Sequence, residues 1–250
     1  MASTAYLRFY AELNDFLPPE KRQVTFAHSF FGRPTVKDLV ESLGVPHTEV
    51  DLVLVNGRSV DFSQHAGDGD RISVYPVFEA LDISPVLRVR PAPLREPRFV
   101  LDTHLGKLAS YLRMLGFDAL YKNDYSDEEL AAISAGEKRI LLTRDRGLLM
   151  RSAITHGYLV RTEDPREQVK EVMRRFDLAD AIRPFSICMR CNETLVDISR
   201  EEAMGSVPPR VRASISEYRR CTGCRRIYWK GTHYEKMTEF IRKLTAELSS

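Results

Sequence analysis

The apolar positions of this chain change rhythm near residue 97. Before that point the runs are short and mostly alternating. Ala5–Glu12 and Gln23–Phe30, the latter with Val24 and Phe26 in alternation, predict strands. Val36, Leu39, Val40 and Leu43 share one helical face over residues 35–43, and Gly44 supplies the stop. Leu52–Val55 reads as a buried strand followed by the turn Asn56-Gly57. The Gly67–Asp70 loop leads into a last strand over Arg71–Pro76.

Beyond residue 97, apolar strands alternate with helical spacings. Arg98–Asp102, Ala119–Tyr121, Arg139–Thr143 and Tyr158–Val160 read as strands. Leu105, Leu108, Ala109, Leu112 and Leu115, then Ser126–Ala135, Arg146–Thr155 and Pro165–Phe176, read as helices. Such alternation implies a parallel sheet, because each crossover needs a helix. A last amphipathic helix covers Tyr234–Leu248. The first order, β-β-α-β-β, is that of an α+β β-grasp.

Between these regions, residues 85–97 hold four prolines and cannot form a regular helix. The stretch reads as an extended linker. Charge changes there too. Residues 1–84 carry 7 Lys/Arg and 12 Asp/Glu, net −5; the remaining 30 and 23 give net +7. A basic second part fits a polyanion such as RNA, and equally an ordinary solvated surface. The expected domains are residues 1–84, 98–183 and 184–250. No apolar run approaches the roughly 20 residues that span a bilayer. With no secretory signal in MASTAYLRFYAEL, the expected location is the cytoplasm.

The four cysteines form two tight pairs, Cys188-x2-Cys191 and Cys221-x2-Cys224. Two intervening residues let both thiolates of a pair face one point. Two pairs complete a tetrahedral sulfur shell that suits structural Zn²⁺. Two disulfides are the alternative and need an oxidising compartment. The spacing between Cys191 and Cys221 leaves room for an inserted turn or helix, expected at Arg200–Met204 and Val211–Tyr218. The zinc ribbon is expected over Pro184–Tyr234.

Acids fall at the loop ends of the expected strands, where sites form in open parallel sheets. Asp102 ends the first strand, Asp145 follows the third, and Asp124, Asp127, Glu128 and Glu129 open the middle helix. Carboxylates gathered at one edge suit Mg²⁺ or Mn²⁺, which can activate water against a phosphodiester. Simpler accounts exist. Ser126-Asp-Glu-Glu129 has the form of a capping box, and Asp145 can be an N-cap. Asp102 is harder to explain that way, because an acid at the end of a buried strand is costly unless partnered. Lys107, Arg113, Arg144 and Arg146 are candidate phosphate contacts, each also explicable as surface. On the ribbon, Arg225 and Trp229 lie among interleaved cations and aromatics. That mixture suits single-stranded nucleic acid, or else the core of a small module.

Two resemblances follow from these residues. Thr35-Val-Lys-Asp-Leu39, Val53-Leu-Val-Asn-Gly57 and Gly69-Asp-Arg-Ile-Ser-Val-Tyr-Pro76 resemble the ubiquitin-like sulfur carriers of molybdopterin and thiamine synthesis. Those carriers end in a free Gly-Gly carboxylate. Here Pro76-Val-Phe-Glu-Ala-Leu81 runs on into more chain, which implies a binding or scaffolding module with a protein partner. Phe99–Asp102, Leu108–Asp118, Ser126–Leu130, Ile140–Arg146, both cysteine pairs and Tyr228-Trp-Lys-Gly-Thr-His-Tyr234 resemble the PIN-like RNase domain first named from the C-terminus of the Mut-seven exonuclease. That resemblance implies a three-layer α/β fold with a fused zinc ribbon and a ribonuclease dependent on Mg²⁺ or Mn²⁺. Its acids fall on Asp102, Asp127 (with Glu128 beside it) and Asp145, and Asp164 is the candidate for a fourth. The alternative is a nucleic-acid-binding protein without catalysis.

Overall fold

Strand β1 (Ser3–Phe9) stops short of the expected Glu12, because Ala11 enters the left-handed region at φ 45°. The buried Asn14 holds this bend, donating to the carbonyls of Phe9 (3.1 Å) and Ala11 (2.9 Å). Residues Ala11–Phe16 become a 3₁₀ helix instead. The computed structural model describes residues 2–76, 89, 97–209, 211 and 215–248. Apart from Val89 and Pro97, the proline-rich stretch 85–97 lies outside the described residues.

The described residues divide into two compact units. One lies within Met1–Glu96 and Ser126–Leu159, the other within Pro97–Tyr125 and Val160–Ser250. In the first, β2 (Phe26–Phe30) runs antiparallel to β1. Helix α1 (Val36–Ser42) starts at a capping box between Thr35 and Asp38. Strands β3 (Leu52–Val55) and β4 (Arg58–Val60) form a hairpin. Its turn, Asn56 at φ 50° and Gly57 at φ 79°, needs two positive φ values, which explains the Asn-Gly pair. β5 (Arg71–Tyr75) lies parallel to β1 and antiparallel to β3. The sheet order β2-β1-β5-β3-β4 is the mixed sheet of a β-grasp, with Leu7, Phe9, Val53, Ile72 and Val74 in its core.

The same unit contains α3 (Asp127–Glu137), β8 (Ile140–Thr143), α4 (Arg146–Leu149) and β9 (Gly157–Leu159). β8 and β9 pair in parallel, as the alternation of strands and helices predicts. Helix α4 ends after one turn, not at Thr155. Ile154 gives its carbonyl to His47 at 2.8 Å rather than to a helical amide, and its side chain is fully buried. A 3₁₀ turn, His47–Glu49, makes this contact and was not foreseen from the sequence.

In the second unit, β6 (Phe99–Leu101) pairs in parallel with β7 (Ala119–Tyr121). Between them lies α2 (Gly106–Leu115), which packs against α5 (Pro165–Arg175). Gly116 ends α2 at φ 97°. A Cβ there would stand 2.1 Å from the Arg183 carbonyl oxygen, so glycine is required by both conformation and space. Strands β10 (Leu195–Ile198), β11 (Tyr218–Cys221) and β12 (Ile227–Trp229) form an antiparallel sheet. Helix α6 (Arg200–Ala203) is the expected insertion. Of the second expected insertion, Val211–Tyr218, residues 212–214 lie outside the described residues, and Tyr218 already belongs to β11. Helix α7 (Thr232–Leu248) packs against α5. Among the described residues, no helix is long and apolar enough to cross a membrane.

Candidate metal centre and acidic positions

The four cysteine sulfurs lie within 4.8 Å of one another, the one such group of metal-ligating side chains among the described residues. Cys191 and Cys221 Sγ are 3.3 Å apart, and Cys188 and Cys224 Sγ 3.7 Å. All four are free thiols, far beyond the roughly 2.05 Å of a disulfide bond. A tetrahedral zinc site with bonds of about 2.3 Å sets its sulfurs about 3.8 Å apart. The donor set therefore fits Zn²⁺ in number, type and spacing, and it leaves no open coordination position.

The surroundings favour thiolate unevenly. Burial works against ionising Cys188, but the Tyr228 hydroxyl at 3.1 Å and nearby backbone amides outweigh it and bring the thiol down to about 6. Burial and the neighbouring Cys191 thiol push Cys221 up to about 12. A divalent cation at the centre removes this conflict by taking all four as thiolates.

The first knuckle is tied to α2 by a buried arginine. Arg113 is 4% exposed. Its guanidinium donates to the carbonyls of Ala119 (2.8 Å), Met189 (3.2 Å) and Arg190 (3.1 Å). Burial lowers its pKa, and the Cys188 and Cys191 sulfurs and Asp118 oppose that. Arg113 thus takes a buried tethering place. Asn192, in the left-handed region at φ 70°, completes the joint. It accepts from the Ala119 amide at 2.8 Å and donates to Asp118 at 2.5 Å.

The acids sit at the ends of elements, as expected. Asp102, 9% exposed, follows β6 and accepts from the Thr103 amide as the N-cap of a 3₁₀ turn. Asp145 follows β8 and caps α4 by accepting from the Gly147 amide at 2.7 Å. Ser126 and Glu129 form the capping box of α3, which leaves Asp127 and Glu128 outside that pair. Both are reached by Arg151, whose Nη2 stands 3.4 Å from Asp127 Oδ2 and 3.0 Å from Glu128 Oε1. Glu128 is lowered by its own backbone amide and then by Arg151. No local pattern pointed to Arg151, which lies 24 residues from Asp127 in the bend after α4. Asp164 caps α5. Lys107, Arg144, Arg146 and Arg225 are exposed, and the Arg146 guanidinium lies 5.2 Å from the Phe16 ring centre. Trp229 is half-buried against Ala203, Val207 and Tyr218.

A family model described as the Mut7-C RNAse domain matches residues 97–241, which contain α2, the acids and all four cysteines. The chain belongs to the Mut7-C RNAse domain family. In this Mut7-C chain a second model, described as Mut7-C ubiquitin, matches residues 2–82, in line with the β-grasp sheet. No curated protein matches the chain. Two solved structures are similar to its N-terminal part. One is small archaeal modifier protein 1 of H. volcanii, 19% identical over 30% of this chain and 99% of that one, with a TM-score of 0.25. The other is SAMP1 from Haloferax volcanii, 17% identical over 32% of this chain and 100% of that one, with a TM-score of 0.26.

Proposed function

We propose that this Mut7-C protein is a ribonuclease of PIN-like, three-layer architecture that hydrolyses phosphodiester bonds of RNA with Mg²⁺ or Mn²⁺. Asp102, Asp127 and Asp145 are the carboxylates that hold the cation. Their donor set is all oxygen, which suits these hard cations. When bound, such a cation supplies positive charge for the phosphate and makes water more acidic. The protein's own groups supply the rest. The caps at Asp102 and Asp145 fix the backbone on which each carboxylate is mounted. Lys107, Arg144 and Arg146 offer exposed positive charge for the RNA backbone. The cysteine module is a structural zinc ribbon, and its Arg225 and Trp229 add contacts to RNA. The β-grasp part binds a protein partner and does not carry sulfur, because residue 76 leads into further chain.

The observation that carries this reading is the family match, which spans all three acids and both cysteine pairs. The test is cleavage of labelled single-stranded and structured RNA, with Mn²⁺ or without added divalent metal, beside Asp102→Asn and Asp145→Asn. Metal-dependent cutting lost in both folded variants supports the assignment. RNA bound equally with and without the cation, and never cut, identifies a binding protein instead.

A further inference from the structure

A cavity of about 370 Å³ lies in the second unit, on the face of the β10-β11-β12 sheet that carries Asp197, Arg219 and Tyr228. Its lining includes Phe185, Tyr228, Trp229, Tyr234, Met237 and Ile241. Most of this wall is aromatic or apolar, yet four charged residues also border it. Arg219 is paired with Asp197 at 2.8 Å and Lys230 with Glu217, so these exposed charges are balanced. The size falls in the range of small-ligand sites.

A second observation concerns Phe185. Its backbone lies in the left-handed region at φ 57°, which bulky residues avoid. Two contacts hold it there. Its amide donates to the Met114 carbonyl at 2.9 Å, and Arg219 Nη1 donates to its own carbonyl at 2.9 Å. The ring lies against Tyr234, with centroids 4.5 Å apart and planes tilted by 35°, at the cavity wall. Strain of this kind gathers at ligand clamps. Tyr228 is equally fixed, its hydroxyl bound to Cys188 Sγ at 3.1 Å, so the aromatic platform is coupled to the cysteine centre.

We infer that this cavity receives one unstacked nucleobase of single-stranded RNA, with the adjoining phosphate beside Arg219 and Lys230. The inference rests on the reading of the protein as RNA-directed and names a subsite within it. Fixed aromatic faces suit any base, because every base has a π-face, and cations beside them suit the backbone. Carboxylates such as Asp197 and Glu217 can accept hydrogen bonds from amino groups on a base edge.

Trp229 is the only tryptophan in the chain; it lines the cavity and also packs on Ala203, Val207 and Tyr218, so tryptophan emission follows this module. The test titrates the full-length protein, without Mg²⁺ or Mn²⁺, with a short RNA oligonucleotide and with an abasic oligonucleotide of the same length. The expected result is a saturable change with the first and about tenfold weaker binding of the second, as loss of stacking implies. Phe185→Leu and Met237→Phe are each expected to weaken base-containing RNA about tenfold and leave the abasic strand unchanged. Met237→Phe adds volume to open space on a half-buried helix position, so it keeps the fold even if Phe185→Leu does not; circular dichroism and zinc content check both. Equal binding of the abasic strand, no fluorescence change, or an inert Met237→Phe overturns the inference. Cleavage is not read here. A protein that cuts RNA without base-dependent binding defeats this subsite alone, and one that binds bases but never cuts defeats the nuclease reading alone.

Discussion

Glu49 Oε1 accepts a hydrogen bond from the Leu159 amide at 2.7 Å, joining the β-grasp part of the chain to the end of β9 across 110 residues of sequence. Beside it, His47 stands between two acceptors, Glu41 Oε1 at 2.7 Å and the Ile154 carbonyl at 2.8 Å. Glu49 is 1% exposed and His47 7%. Buried polar groups persist where they are hydrogen-bonded. These two therefore anchor the segment after α4 to the β-grasp sheet. Glu49→Ala strands the Leu159 amide away from water and is expected to cost about 1–3 kcal/mol. Urea unfolding of the full-length protein measures it. A change near zero would mean that water or another residue takes over the amide.

Arg113 separates a tether from a phosphate contact. Arg113→Met removes the donor for three carbonyls and is expected to destabilise the protein by about 3 kcal/mol. The salt dependence of RNA binding should keep its slope, because a buried guanidinium releases no counterions. Lys107→Ala is expected to do the opposite, leaving stability unchanged and flattening the slope. A flattened slope in folded Arg113→Met would reassign this residue to RNA.

Gly116→Ala tests the close approach of α2 to Arg183. The new Cβ meets the carbonyl oxygen at 2.1 Å in a backbone conformation that alanine resists. A loss of about 2 kcal/mol or more is expected, seen as a lower thermal midpoint. Gly136→Ala is the control. It sits inside α3 with nothing near its Cβ position and is expected to hold or raise stability slightly.

Zinc removal should dissolve the three-stranded module. One equivalent of zinc per chain is expected, and Cys221→Ser should lower it sharply, because a buried thiolate is lost from the sulfur shell. A chelator should release the zinc and shift Trp229 emission to the red as the Ala203–Val207–Tyr218 cluster opens. Retained emission after complete metal loss would show that apolar packing alone holds the module.

The sequence made local features legible and hid those that depend on distant partners. Both cysteine pairs, the Ser126–Glu129 box and the Asn56-Gly57 turn were readable, because each is set by neighbours within a few residues. Element ends were less so. α4 looked like ten residues of helix and closes after four, since His47 takes the Ile154 carbonyl. β1 looked longer than it is, since Asn14 bends the chain at Ala11. Arg113 read as a phosphate contact or a plain surface cation on α2, and nothing in the local pattern revealed that the Met189–Arg190 turn would bury it.

Arg151 offers the most direct test of the acidic positions. It is the cation that reaches both Asp127 and Glu128, at 3.4 and 3.0 Å. The pairs are exposed, so solvent screens them and they add little to stability. Their effect on a bound cation is different. A guanidinium beside Asp127 competes with a divalent metal for the carboxylate. Arg151→Gln is therefore expected to leave the thermal midpoint nearly unchanged, while the Mn²⁺ concentration for half-maximal RNA cleavage falls severalfold. Asp127→Asn should raise that concentration or abolish cleavage. If Arg151→Gln instead weakens RNA binding and leaves the Mn²⁺ requirement alone, Arg151 belongs to the RNA-contacting surface, and Asp127 loses its place among the metal-holding acids.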